Sequence, residues 1–156
     1  MKAVFKNFIR IQSAILLLMA ASLLIPLFIA FYYDEESSEF AFLLVSVSCA
    51  LAGILIRLGV KPTDARFKVR DGFLIVSTAW LVCSVIGALP FLLSGAIPSA
   101  ADAFFESCSG FSTTGASILT DVEVLPKSIL FWRSFTHWLG GMGIIVFVMA
   151  LMPVLG

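Results

Sequence analysis

The stretch Phe111-Ser112-Thr113-Thr114-Gly115-Ala116-Ser117 lies between two apolar segments of unequal length. The preceding segment, Ala100–Gly110, is too short to cross a bilayer, whereas the following one, Ser128–Val154, is long enough. A chain that enters the membrane as a half-helix and returns as Thr-Thr-Gly exposes backbone carbonyls at membrane depth. Such backbone is tolerated only where it is buried in protein or lines a watery path. The pattern therefore indicates a re-entrant loop beside a cation pathway, because rings of carbonyls replace the hydration shell of potassium in pores.

The composition places the chain among membrane proteins. Hydrophobic residues make up 60% of the sequence and charged residues only 13%, with a mean hydropathy of +1.07. These values lie outside the range of soluble domains. At roughly 20 residues per crossing, the chain has room for about three to five spans. The predicted class is an all-α membrane protein.

The apolar runs predict two N-terminal transmembrane helices, followed by one helix–pore loop–helix unit. The predicted spans are Ile11–Tyr33, Phe40–Ile56, Phe73–Leu93 and Ser128–Val154. The first run is too long for the apolar region of a signal peptide, and it ends in an aromatic group typical of a membrane interface. The sequence therefore divides into residues 1–70, a two-helix membrane unit with a basic cytoplasmic loop, and residues 71–156, the pore unit.

Charge segregation predicts the orientation of the spans. Eight of the ten basic residues lie at the N-terminus or in the second loop: Lys2, Lys6, Arg10, Arg57, Lys61, Arg66, Lys68 and Arg70. The positive-inside rule therefore places both termini in the cytoplasm. The acidic residues fall mostly on the other side, where they would raise the cation concentration at an outer mouth. For the loop Asp34–Glu39, ordinary solvated charges are an equally good interpretation.

The short segment carries its own helix signals. Ser99 followed by Asp102 is typical of a helix N-terminus, and Gly110 is a candidate end. The helix Ala100–Gly110 would rise about 16 Å, half the hydrocarbon thickness. Its C-terminal end, the negative pole of the helix dipole, would face the membrane centre, where a cation is stabilised. A charged Glu106 is costly in lipid, so we expect its side chain to face protein or water.

Four consecutive residues are the candidate ion ligands: Thr113, Thr114, Gly115 and Ala116. They would bind potassium mainly through backbone carbonyls, and the Thr113 hydroxyl is a further candidate oxygen. Glycine at the third position permits backbone angles that other residues reach only under strain. The sequence Thr-Thr-Gly also occurs in ordinary turns. The prediction therefore depends on its position between a half-helix and a membrane span.

Other polar and small residues admit more than one interpretation. His137 is four residues from Arg133 on one helix face, and packing or hydrogen bonding is favoured over a proton relay. Arg133 would pair with Glu106 or Asp121, or extend toward the interface. The run Gly140–Gly143 is either a hinge or a site of close helix packing. Three cysteines show neither a disulfide framework nor metal-ligand spacing, and no oriented Ser, His and acid set suggests an enzyme.

Several segments resemble the first pore unit of bacterial TrkH-type potassium uptake proteins, of the Trk/Ktr/HKT superfamily. These segments are Arg70–Val76, Gly87–Phe91, Asp102–Ser107, Ser112–Ser117, Leu125–Arg133 and Trp138–Val146. The resemblance covers Arg70 to Gly156, over half of the chain. Residues before Arg70 resemble the family only in topology, as its two-helix N-terminal unit.

The resemblance implies potassium transport across a bacterial inner membrane, in contact with membrane lipid. In this family one chain carries four helix–pore loop–helix units around a pseudo-fourfold axis. Residues Thr113 to Ala116 would then form one quarter of a potassium filter. A homodimer and a cytoplasmic nucleotide-binding gating subunit are also implied, whereas nucleic acid is not an expected partner.

This sequence holds only one such unit, so a complete ring needs further units. We expect an N-terminal portion of a longer transporter, with several assembled copies as the other arrangement. A non-conducting membrane interaction protein, or a truncated relic of a transporter gene, is the alternative function. Neither ion coupling nor selectivity for potassium over sodium follows from one unit, because selectivity depends on the whole ring.

Overall fold

The computed structural model describes residues 2–63 and 69–155, and it is helical in these two ranges. The helices are α1 (Lys2–Tyr32), α2 (Glu36–Gly59), α3 (Val69–Leu93), α4 (Ala100–Phe111) and α5 (Lys127–Leu155). The described residues contain no strand. The predicted all-α class is therefore confirmed. Arg66 and Lys68 of the predicted basic loop lie outside the described residues.

Within the described residues, three helices are long and apolar enough to cross a membrane. They are Val4–Tyr32, Glu36–Gly59 and Arg70–Leu93, and they match the first three predicted spans. Helix α5 is one continuous helix of 29 residues, and its crossing of the membrane stays a prediction. The first two helices begin earlier than the apolar runs, at Lys2 and Glu36, because a helix can continue with polar residues beyond the hydrocarbon layer.

Helices α1 and α2 form an antiparallel hairpin that packs through small residues. The Ser46 hydroxyl donates to the Ala20 carbonyl at 2.9 Å, and a Cβ added at Gly53 would lie 2.8 Å from Leu17 Cγ. Small residues allow this close approach of membrane helices, and a hydroxyl that bonds across the interface stabilises it. At the other end of the hairpin, the Asn7 amide donates to the Thr63 carbonyl at 2.7 Å.

Glu35, in the loop between α1 and α2, caps the N-terminus of α5. Its carboxylate accepts the backbone N–H of Lys127 at 2.5 Å and that of Ser128 at 3.1 Å, together with the Ser128 hydroxyl. The first N–H groups of a helix lack partners inside the helix, and the dipole favours an anion there. Glu35, expected above to be one of several outer loop charges, thus joins the N-terminal hairpin to the last helix.

The second half of the chain packs on this hairpin through a buried tryptophan. The Trp132 side chain is fully buried, its ring lies edge-on to Phe42 of α2 at 6.2 Å, and its indole N–H donates to the Gly87 carbonyl at 3.0 Å. A buried indole needs such an acceptor, because an unpaired polar group in an apolar interior is costly. Trp132 therefore links α2, α3 and α5.

Candidate ion-binding loop

Helix α4 is the short helix that the sequence predicts. It has 12 residues, which corresponds to a rise of about 18 Å. The Ser99 hydroxyl accepts the backbone N–H of Asp102 at 3.4 Å, so the predicted N-cap is confirmed. The helix ends at Phe111, one residue beyond the expected end.

Gly110 lies inside α4 and serves packing, not termination. A Cβ added at Gly110 would overlap the Thr136 hydroxyl and lie 3.0 Å from Thr136 Cβ. Thr136 itself is buried in α5. The helix is closed instead by Ser112, whose backbone N–H donates to the Cys108 carbonyl at 2.9 Å. The expectation that Gly110 ends the helix was therefore wrong, because a close contact with α5 requires the glycine.

Two residues of the loop after α4 have left-handed backbone conformations. Thr113 has a φ of 58° and Gly115 a φ of 76°. The prediction that Gly115 takes angles unfavourable for other residues is confirmed. A threonine with a left-handed backbone conformation is uncommon and strained, and such strained residues are often found at functional sites.

The carbonyl oxygens of the loop differ in what surrounds them. All residues from Ser112 to Ile118 are exposed. Among the described residues, no hydrogen bond reaches the carbonyls of Thr113, Thr114 and Gly115. The Ala116 carbonyl accepts the Ser109 hydroxyl at 2.6 Å. The four candidate residues thus lie side by side on an open surface. Within the part of the chain that the structure describes, three of their carbonyls accept no hydrogen bond and the fourth is held by α4.

Glu106 fixes the segment that leaves the loop. Its carboxylate accepts the Ser117 hydroxyl at 3.0 and 3.1 Å and the backbone N–H of Ile118 at 3.2 Å. The same carboxylate pairs with Arg133 Nε at 2.5 Å. Glu106 is 1% exposed, so it faces protein as expected, and the predicted partner of Arg133 is Glu106 and not Asp121. A carboxylate with these donors is paired and hydrogen-bonded, as a buried charge must be.

The C-terminal end of α4 packs closely against α3 and α5. The Phe111 carbonyl accepts the Trp80 indole N–H at 3.0 Å. A Cβ added at Gly140 would overlap that carbonyl oxygen and lie 2.7 Å from its carbon. Helix α5 continues without a break through Gly140–Gly143, so close packing explains Gly140 better than a hinge does. His137 Nδ1 lies 2.9 Å from the Arg133 carbonyl, in keeping with a hydrogen-bonding role.

The loop offers neutral oxygen donors. Free backbone carbonyls are neutral oxygen ligands, and the described residues contain no group of three or more His, Cys, Asp or Glu side chains suited to a metal ion. One loop presents carbonyls from one side only. A cage of such oxygens around an ion requires oxygens from further loops.

Comparisons with known proteins agree with this geometry. The family described as "TrkH: Cation transport protein" matches residues 38–156. The Trk system potassium uptake protein TrkH of Vibrio parahaemolyticus is 39% identical over 153 residues, 97% of this chain and 31% of that protein. TrkH of Halomonas elongata is 36% identical over 95% of this chain and 31% of its own length.

A solved structure shares the fold. The crystal structure of the potassium transporter TrkH from Vibrio parahaemolyticus matches with a TM-score of 0.88 and 38% identity, over 96% of this chain and 32% of that one. The chain thus spans about a third of the length of the relatives it matches. The family match covers most of the chain, and it includes α4, the loop and α5. The chain belongs to the TrkH family of cation transport proteins.

Proposed function

We propose that this chain takes part in potassium transport across a membrane, and that Thr113, Thr114, Gly115 and Ala116 contribute one quarter of a carbonyl-lined selectivity filter. The observation that carries the proposal is the exposed loop, with left-handed backbone at Thr113 and Gly115 and with three carbonyls that accept no hydrogen bond from the described residues. It directly follows a half-length helix, and relatives of this sequence are potassium uptake proteins. Potassium is cargo here, and the chain catalyses no reaction.

The remaining three quarters of the filter come from further pore units. We propose that they belong to the same longer chain, because the relatives are about three times as long as this sequence. Assembly of several copies is the other arrangement. Residues 1–70 then form a two-helix scaffold and residues 71–156 the first pore unit. A homodimer of the full protein and a cytoplasmic nucleotide-binding gating subunit follow from the family resemblance.

The test of this function is ion uptake by a complete protein that contains this chain. Cells that lack other potassium importers should regain growth at low potassium and take up rubidium when they express it. A non-conducting membrane interaction protein, or a truncated relic, would give normal protein levels without growth or uptake. That outcome would overturn the transport proposal.

The distribution of basic residues leads to a further proposal. The chain lies in a bacterial inner membrane, with both termini on the cytoplasmic side. Ser37 in the first turn of α2 and Lys61, which follows α2, are both exposed and lie at opposite ends of this candidate span. In a cysteine-free background, Ser37→Cys should react with an impermeant maleimide added to intact cells. Lys61→Cys should react only after the cells are permeabilised. Labelling of position 61 in intact cells would contradict the orientation.

A further inference from the structure

We propose that Ser109 is a positioning residue whose hydroxyl sets the orientation of the Ala116 carbonyl and thereby the ion discrimination of the loop. This inference rests on the proposed function, since it assigns a role to a side chain that does not face the ion. Ser109 lies on α4, is 6% exposed, and precedes Gly115 by six residues in the sequence.

Ser109 holds the loop on both sides of Gly115. Its backbone carbonyl accepts the N–H of Thr114 at 3.0 Å, and its hydroxyl donates to the Ala116 carbonyl at 2.6 Å. The second distance is at the short end for a hydroxyl donor. The residues immediately before and after Gly115 are therefore both tied to one residue of the helix.

The space around Gly115 itself is open. No heavy atom apart from its chain neighbours lies within 4 Å of a Cβ added at Gly115, and the residues around it are exposed. Among the described residues, the Ser109 hydroxyl is the donor to the Ala116 carbonyl, so this bond orients that carbonyl directly, whereas Glu106 acts on the two residues that follow. Without it, the carbonyl can rotate and the spacing of the coordinating oxygens is no longer fixed. Discrimination by cavity geometry or by the field of carbonyl dipoles depends on that spacing.

The same face of α4 fixes the next part of the chain. Glu106 lies one turn before Ser109 and bonds Ser117 and Ile118, as described above. Ser109 and Glu106 together hold the segment from Ala116 to Ile118. Ser109 is the one of the two that bonds directly to a candidate ion ligand.

The chain supplies a matched control on the same helix. Ser107 is fully buried, and its hydroxyl has no hydrogen-bond partner among the described residues. The substitution Ser107→Ala therefore removes a buried hydroxyl of the same size without touching the loop. Ser109→Thr keeps a hydroxyl at the position and serves as the conservative rescue.

The experiment compares sodium and rubidium uptake for these variants in the complete transporter. Ser109→Ala should raise the ratio of sodium to rubidium uptake by about two- to tenfold. This range corresponds to the net free energy of one hydrogen bond. The maximal rubidium rate should change less than this ratio. Ser107→Ala and Ser109→Thr should both keep the ratio of the parent protein.

The outcomes separate this inference from the proposed function. A parent protein that transports, with an unchanged ratio in Ser109→Ala or an equal shift in Ser107→Ala, would overturn the role of Ser109 alone. Absence of uptake by the parent would overturn the proposed function itself. If Ser109→Ala loses all uptake at normal protein level, thermal unfolding of the purified variant is measured in potassium and in sodium. Equal stabilisation by potassium and sodium would support the inference, and retained preference for potassium would overturn it.

Discussion

Replacing Gly140 with alanine is expected to reduce rubidium uptake by about tenfold or more in the complete transporter. Even a methyl group there would overlap the carbonyl oxygen of Phe111, which is backbone and cannot turn aside as a side chain would. Either α5 must move away or the end of α4 must shift with its loop. Overpacking of this kind destabilises the native packing by about 1–3 kcal/mol, and each 1.4 kcal/mol lowers the equilibrium population of that packing by about tenfold. Uptake and thermal unfolding in detergent measure the effect.

The same chain offers milder glycine substitutions as controls. A Cβ at Gly143 would lie 3.5 Å from the Trp80 ring, an ordinary contact, and a Cβ at Gly59 would meet no atom of the described residues within 4 Å. Gly143→Ala and Gly59→Ala should therefore keep most of the uptake. If all three variants lost activity equally, the contact between Gly140 and Phe111 would not be the cause.

Replacing Glu106 with alanine is the second change with a large expected effect. It leaves Arg133, which is 17% exposed, without its carboxylate partner and frees Ser117 and Ile118. Removing one member of a buried ion pair typically costs about 3–5 kcal/mol. We expect a strongly lowered unfolding temperature and loss of uptake.

A double-mutant cycle distinguishes the ion pair from general damage. Glu106→Gln and Arg133→Gln should each destabilise the protein, and the double variant should cost less than their sum, because the neutral pair no longer buries a lone charge. Glu123→Gln, in the exposed loop before α5, should change neither stability nor uptake. Strict additivity of the two single effects would contradict the pairing.

The parts of the structure that depend on local sequence were predictable. The lengths of the apolar segments predicted the first three candidate spans. The short apolar segment before the loop predicted α4, with an error of one residue at its C-terminal end. The Ser99 cap follows from neighbouring residues, and the left-handed Gly115 from the need for a sharp return. Burial of Glu106 follows from the cost of a charge in lipid.

The contacts between distant segments were not predictable in the same way. Glu35 caps a helix that begins 92 residues later, and it reads as one carboxylate among several in an acidic loop. The close contact of Gly140 with Phe111 depends on how α4 leans on α5, which helix periodicity does not encode. The bond from Trp80 to the Phe111 carbonyl was equally unpredictable. Ser109 and Ser107 are both serines of one short helix, and the sequence does not show that only Ser109 bonds to the loop.

The central claim, that this loop forms part of a potassium filter, is tested most directly by the selectivity of Gly115→Ser. A side chain at a φ of 76° costs about 1–2 kcal/mol in backbone strain. Open space around Gly115 means that the change acts through carbonyl orientation and not through a clash. The matched control is Gly95→Ser, because Gly95 has the same φ of 76° and the same open surroundings in the loop between α3 and α4.

The measurement is sodium and rubidium uptake by the complete transporter, at equal membrane levels, in cells without other potassium importers. We predict that Gly115→Ser raises the ratio of sodium to rubidium uptake, whereas Gly95→Ser leaves it unchanged. An unchanged ratio in Gly115→Ser at normal protein level would contradict the assignment of this loop to the filter.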